Sequence, residues 1–83
     1  MDPNGKHFLV VGASGALGSR IARRLVEAGA SVSLAGRDAD RLAEVGGAEA
    51  HVLTGDLIDP TVPGRFVAEA AEQAGRLDGV VIA

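Results

Sequence analysis

The sequence contains no cysteine. That excludes a disulfide framework and any thiolate metal site, and it fits a reducing cytoplasm. Tryptophan and tyrosine are also absent, and the only aromatic side chains besides histidine are Phe8 and Phe66. A core must therefore be assembled from Val, Leu, Ile and Ala. Basic charge is scarce: 8 Lys and Arg stand against 11 Asp and Glu, a formal net charge of −3. This balance leaves no electrostatic footprint for nucleic acid. No apolar run approaches the roughly 20 residues of a membrane-spanning helix. The opening Met1-Asp2-Pro3-Asn4-Gly5 is polar and turn-forming, unlike a signal peptide. The expectation is a cytoplasmic chain with neither nucleic acid nor membrane as partner. What the chain does have is apolar content, 47% of 83 residues, enough for the core of one small domain. A domain of this size buries only about 60–65% of its unfolded surface, so its stability is marginal.

Phe8-Leu9-Val10-Val11 is a continuous apolar run, as buried parallel strands are. His7 is expected exposed at its start. Leu17, Ile21 and Leu25 recur four residues apart with Ala22 and Val26 beside them. That spacing predicts an amphipathic helix from Leu17 to Ala28, stopped by Gly29. Ser31 to Ala35 reads as a second strand. Asp38 or Asp40 can cap a short helix carrying Arg41, Leu42 and Val45, which Gly46-Gly47 ends. Ala48 to Leu53 reads as a third strand, in which His51 is expected to be structural and unpaired. Asp59-Pro60-Thr61 starts a third helix that tolerates Pro63 in its first turn. Its apolar face is Phe66, Val67, Ala70, Ala71 and Ala74, and Gly75 ends it. Val80 to Ala83 is a fourth apolar strand. Glu69, Glu72 and Asp78 are expected to be solvated. The order is β-α-β-α-β-α-β, and connections of this length imply parallel strands joined by right-handed crossovers.

The chemistry gathers at three strand ends. After the first strand comes Gly12-x-x-Gly15-x-x-Gly18. A glycine triplet alone can serve turn geometry and packing, but strand, glycine turn and helix together form the context of a nucleotide-phosphate site. N–H groups at a helix start are unpaired donors, the helix dipole adds partial positive charge, and glycine permits close approach. Leu17 and Gly18 are expected to open the helix with their N–H groups toward the phosphates, and Ser14 can add a hydroxyl. After the second strand, about 20 residues further on, dinucleotide sites read the adenine ribose. Here Leu34-Ala35-Gly36 supplies no acid for a 2′-hydroxyl, and Arg37 follows with the charged fork that suits a 2′-phosphate. This favours NADP over NAD. After the third strand, Asp56 can accept from an adenine amino group while Leu57 packs on the ring, although a loop or cap role explains Asp56 equally well. No paired carboxylates, metal-ligand cluster or Ser-His-Asp constellation is evident, so neither a catalytic residue nor a metal site is assigned.

These motifs together resemble the N-terminal part of a short-chain dehydrogenase/reductase. The resemblance rests on Val11-Gly12-Ala13-Ser14-Gly15-Ala16-Leu17-Gly18, Leu34-Ala35-Gly36-Arg37-Asp38, Gly55-Asp56-Leu57 and Leu77-Asp78-Gly79-Val80-Val81-Ile82-Ala83. It implies an α/β fold: a four-stranded parallel Rossmann half-sheet, ordered 3-2-1-4, with three helices. It also implies a nicotinamide cofactor. That likeness assigns Gly12, Gly15 and Gly18 to the phosphate turn, Arg37 to the 2′-phosphate, and Asp56 and Leu57 to the adenine; Ser14, Ala16 and Leu17 complete the expected cofactor-binding set. Two departures stand out. Val11 occupies the position where the classical family has Thr, and the glycine spacing is closer to that of the extended and atypical branches. Ile82-Ala83 stand where an Asn-Asn-Ala-Gly signature would begin.

The family carries a catalytic Tyr-x-x-x-Lys and a Ser beyond the fourth strand, whereas this sequence has no Tyr and its only Lys is Lys6. Residues 1–83 are thus expected to be a single truncated dinucleotide-binding domain. It would hold the ADP-ribose part of NADP(H) and transfer no hydride alone. Two other readings are a structural module without nucleotide binding and a miniature oxidoreductase completed by oligomerisation. The fourth strand would be an apolar sheet edge, so self-association through Val80–Ala83 and the uncovered sheet face is expected.

Overall fold

The computed structural model describes residues 3–47 and 50–83. Four strands, β1 (His7–Val11), β2 (Ser31–Gly36), β3 (His51–Thr54) and β4 (Gly79–Ile82), alternate with three helices, α1 (Ala16–Glu27), α2 (Ala39–Gly46) and α3 (Val62–Ala74). The strands form one parallel sheet in the order β3-β2-β1-β4. This is the expected four-stranded parallel α/β half-sheet with three helices. The central strand β1 is buried along its whole length. That is why it reads as an unbroken apolar run rather than an alternating one.

Alternation along the strands divides the core in two. Val10, Val32 and Leu34 pack with Ala22 of α1 and Leu42 of α2 on one face. Leu9, Val11, Ala35 and Leu53 pack with Val62, Phe66 and Ala70 of α3 on the other. Phe66 is fully buried and is among the largest side chains enclosed. With no Trp or Tyr, this one ring fills the space beneath α3.

Local chemistry sets the element ends. Asp38 caps α2, its Oδ1 accepting from the N–H groups of Asp40 at 3.1 Å and Arg41 at 3.3 Å. Gly75 terminates α3 in the left-handed conformation. Pro63 sits in the first turn of α3, where no N–H is required. Several boundaries shift. Helix α1 opens at Ala16, not Leu17. Strand β4 spans Gly79–Ile82, so Ala83 lies just past it. Strand β3 begins at His51; the expected start at Ala48 lies outside the described residues.

Four expectations about side chains are corrected. His7 is 1% exposed, not a solvated strand end. His51 is not unpaired, because its ring meets that of His7 edge to face at 5.9 Å. Asp78 is not merely solvated: its carboxylate binds the guanidinium of Arg76 at 2.6 Å and accepts from the His7 N–H at 2.8 Å. Leu17 and Val26 do not join the buried face of α1, being 63% and 47% exposed. The reason is that Gly18 and Ala22 face inward. Each helical residue turns by about 100°, so a helix seated on Gly18 carries Leu17 away from the sheet.

Candidate nucleotide-binding site

The loops following β1, β2 and β3 meet at the C-terminal end of the sheet. There they enclose a cavity of about 470 Å³ lined by Gly12, Ser14, Gly36, Arg37, Gly55, Asp56, Leu57 and Ile58. In open α/β sheets ligands bind outside the carboxyl ends of strands, where helices leave to opposite faces. That condition holds here, since α1 and α2 lie on one face and α3 on the other.

The turn after β1 is held by its own backbone. Gly12 N–H and Ala13 N–H both donate to the Ala35 carbonyl of β2, at 2.9 and 3.3 Å, and Gly15 N–H donates to the Gly12 carbonyl at 3.2 Å. Gly12 has φ of 81°, in the left-handed region that a side chain disfavours. Gly18 has a different task. A Cβ there would overlap the Gly12 carbonyl oxygen, so the bare α-carbon lets α1 seat directly on the turn. The spacing of the motif thus serves conformation at Gly12 and helix packing at Gly18.

The start of α1 is left open. Gly15, its N-cap residue, offers no side-chain hydrogen bond, and its first turn contains no acid. The N–H groups of Ala16, Leu17 and Gly18 precede the first helical bond, which runs from Ser19 N–H to the Gly15 carbonyl at 2.9 Å. The opposite arrangement occurs at α2, where Asp38 and Asp40 satisfy the helix start with negative charge. An open, acid-free helix start beside a glycine turn is complementary to an anion.

The other two loops contribute side chains. Arg37 is exposed and makes no ion pair among the described residues. Asp56 Oδ1 accepts from Ile58 N–H at 3.0 Å, which leaves Oδ2 able to accept another donor. Leu57 and Ile58 are 50% and 86% exposed and place apolar surface at the mouth of the cavity. The loop end is braced from both sides. Gly55 N–H donates to the Gly36 carbonyl at 3.1 Å, and Arg65 Nη2 donates to the Thr54 carbonyl at 2.7 Å. Further along, Thr61 donates its backbone N–H and its hydroxyl to Asp59, which holds that carboxyl below its ordinary range.

Of the residues expected to serve a cofactor, the structure brings Gly12, Ser14, Arg37, Asp56 and Leu57 to one cavity. Gly15, Ala16, Leu17 and Gly18 are not among its lining residues; they form the adjoining turn and helix start. Sequence reasoning missed Ile58 and Arg65. An isoleucine directly after Asp56-Leu57, before any helix signal, was the available clue to Ile58. Nothing in the local sequence marks Arg65, whose role depends on how α3 folds back on β3.

The family model for short chain dehydrogenases matches residues 6–83. The chain belongs to the short-chain dehydrogenase family. Among solved structures, the chain is 36% identical to a Sinorhizobium meliloti 1021 protein assigned as a short-chain alcohol dehydrogenase. The TM-score is 0.83, over 93% of this chain and 33% of the other. It is 29% identical to a short-chain type dehydrogenase/reductase from Mycobacterium marinum, with a TM-score of 0.84 over 95% of this chain and 34% of the other. It is also 29% identical to a blue fluorescent protein from a metagenomic library, solved in complex with NADPH, with a TM-score of 0.80 and 36% of that chain covered. The chain spans about a third of the length of these structures. No curated protein matches it. Among the described residues no helix is long and apolar enough to cross a membrane.

Proposed function

We propose that this chain is the ADP-ribose-binding part of an NADP-dependent short-chain dehydrogenase. The observation that carries the reading is the convergence of Gly12, Ser14, Arg37, Asp56 and Leu57, from three separate loops, on one cavity beside the open start of α1. The residues present suit the group. Gly12 presents backbone without a side chain, while Ala16, Leu17 and Gly18 supply N–H donors and Ser14 a hydroxyl for the pyrophosphate. Gly15 leaves room over the turn, where the nearest atom to an added Cβ is 3.5 Å away. Arg37 supplies a fork for the 2′-phosphate. Asp56 accepts from the adenine amino group and Leu57 covers the ring. Bound NADPH would supply a hydride. This chain's own residues bind and orient the adenosine end, and with no Tyr in the sequence the chain alone transfers no hydride.

Residues 1–83 act in this reading as one dinucleotide-binding domain in the cytoplasm. Self-association belongs to the same proposal. An apolar groove of about 220 Å³, lined by Leu9, Val11, Leu57, Pro63, Val67, Val80 and Ile82, runs beside β4. Ile82 is 79% exposed and β4 is a sheet edge, a combination that invites a second copy. Titration calorimetry with 2′,5′-ADP and 5′-AMP tests the cofactor assignment. Tighter binding of the 2′-phosphorylated nucleotide is expected. Equal affinities would remove Arg37 from the site, and no binding of either would favour a structural module.

A further inference from the structure

At the other end of the sheet from the cofactor cavity, four polar side chains share the face that α3 covers. His7 of β1 lies in register with Ser31, and Ser33 of β2 with His51 of β3. His7 and Ser33 are fully buried. The His7 ring is held at both nitrogens, Nδ1 at 2.6 Å from Ser31 Oγ and Nε2 at 2.8 Å from Ser33 Oγ. Ser31 Oγ also donates toward the Lys6 carbonyl at 3.5 Å. With its own proton directed there, Ser31 accepts from Nδ1–H, and Nε2 is left to accept the hydroxyl proton of Ser33. With the imidazole neutral, both ring nitrogens of His7 and the hydroxyl of Ser33 have partners, and no buried side-chain polar atom among the described residues is left without one.

A proton on Nε2 breaks this arrangement. Ser33 would have to turn from donor to acceptor, and its hydroxyl proton has no second partner among the described residues. A buried unpaired hydroxyl and a desolvated cation both oppose folding. The surroundings offer little relief. From β3 comes His51, a second titratable ring at 5.9 Å. From the lead-in to β4 comes Asp78, already engaged by Arg76 and by the His7 N–H, with Lys6 nearby. Helix α3 presents Phe66 and Ala70 to the sheet, and its Arg65, Glu69 and Glu72 lie along the groove beside β3.

We propose that His7 is a proton-controlled clasp. Its neutral ring ties β1 to β2 through two serines and stands against β3, and protonation releases the N-terminal end of the sheet. The inference is independent of the cofactor reading. Burial, and then the nearby His51, lower the affinity of His7 for a proton below its ordinary value of 6.5, with Asp78 partly opposing. A lowered value in the fold means that the unfolded chain takes up the proton first. Stability is therefore intact above about pH 6.5 and is lost as pH falls below it.

The test is a pair of measurements on the chain. Imidazole nitrogen NMR between pH 7.5 and 5 is expected to show His7 as the neutral Nδ1–H tautomer still at pH 6. Urea unfolding over the same range is expected to show the unfolding constant rising by up to about tenfold per pH unit below 6.5. His7→Gln should flatten that dependence. Should that variant not fold, His51→Gln serves in its place; it removes the neighbouring ring and should make the dependence shallower. A His7 that is half-protonated at or above pH 6.5 in the folded chain overturns the clasp. So does an unfolding constant that is flat from pH 7 to 5.

Discussion

Replacing Gly18 by alanine should destabilise the fold, although helix propensity alone predicts the opposite. Alanine is favoured over glycine in a helix interior by about 1 kcal/mol. At Gly18 the added Cβ would overlap the Gly12 carbonyl oxygen, with the Gly12 carbonyl carbon at 2.8 Å and the Ala13 Cα at 3.0 Å. All three are backbone atoms, so no rotamer change relieves the contact. The turn cannot yield cheaply either, because Gly12 and Ala13 are both bonded to the Ala35 carbonyl of β2. Helix α1 must therefore lift from the sheet. Overpacking of this kind costs about 1–3 kcal/mol; the backbone contact places Gly18→Ala at the upper end, from which the propensity gain of about 1 kcal/mol is subtracted. A net loss of about 2 kcal/mol corresponds to a Tm lower by about 8–16 °C for a chain this short. Gly64→Ala is the control. It lies in α3, and its added Cβ would meet nothing within 4 Å. It should be neutral or stabilising by up to about 1 kcal/mol. Thermal and urea unfolding of both variants check the argument. A Gly18→Ala protein that melts at or above the parent would refute the account of how α1 seats on the turn.

Three further outcomes are expected. Arg37→Ala should weaken binding of 2′,5′-ADP about tenfold or more while leaving 5′-AMP unchanged, since a hydrogen-bonded charge contributes about 1.5–3 kcal/mol; calorimetry distinguishes this from a general loss of fold. Asp78, whose carboxyl the Arg76 guanidinium and then the His7 N–H hold down to about 2, stabilises the fold above about pH 4 and loses that contribution as pH falls toward 2. Asp78→Asn should remove that acid limb, which is separate from the His7 window near neutrality, and circular dichroism across pH 2–5 reads it. Ile82→Lys should weaken self-association by placing charge on the β4 edge, a standard protection against strand pairing; equal sedimentation of variant and parent would exclude this edge as the interface.

Much of the architecture is legible from local signals. The unbroken apolar run of β1 marks a strand buried on both faces. Asp38 announces the start of α2, and Gly29 and Gly75 announce helix ends, because caps are local hydrogen-bonding and conformational problems. The glycine turn and Arg37 stand where a strand-turn-helix grammar places phosphate and ribose contacts. The errors have a common cause. His7 looks like a polar strand end, yet Ser31 and Ser33 satisfy it across 24 and 26 residues of chain. Leu17 looks like the first apolar position of α1, yet the seating of Gly18 rotates it outward. Arg65 resembles any helix-surface cation until α3 carries it to the Thr54 carbonyl.

The sequence by itself determined the alternation of strands and helices, the cap of α2 and the glycine stop of α3, and the residue types available at each strand end. Those depend on periodicity, caps and turn chemistry within a few neighbouring positions. The tertiary structure alone decided which of these residues meet. The parallel register brings three loops to one cavity and sets His51 against the buried His7, because side chains far apart in the chain become neighbours only once the strands have paired.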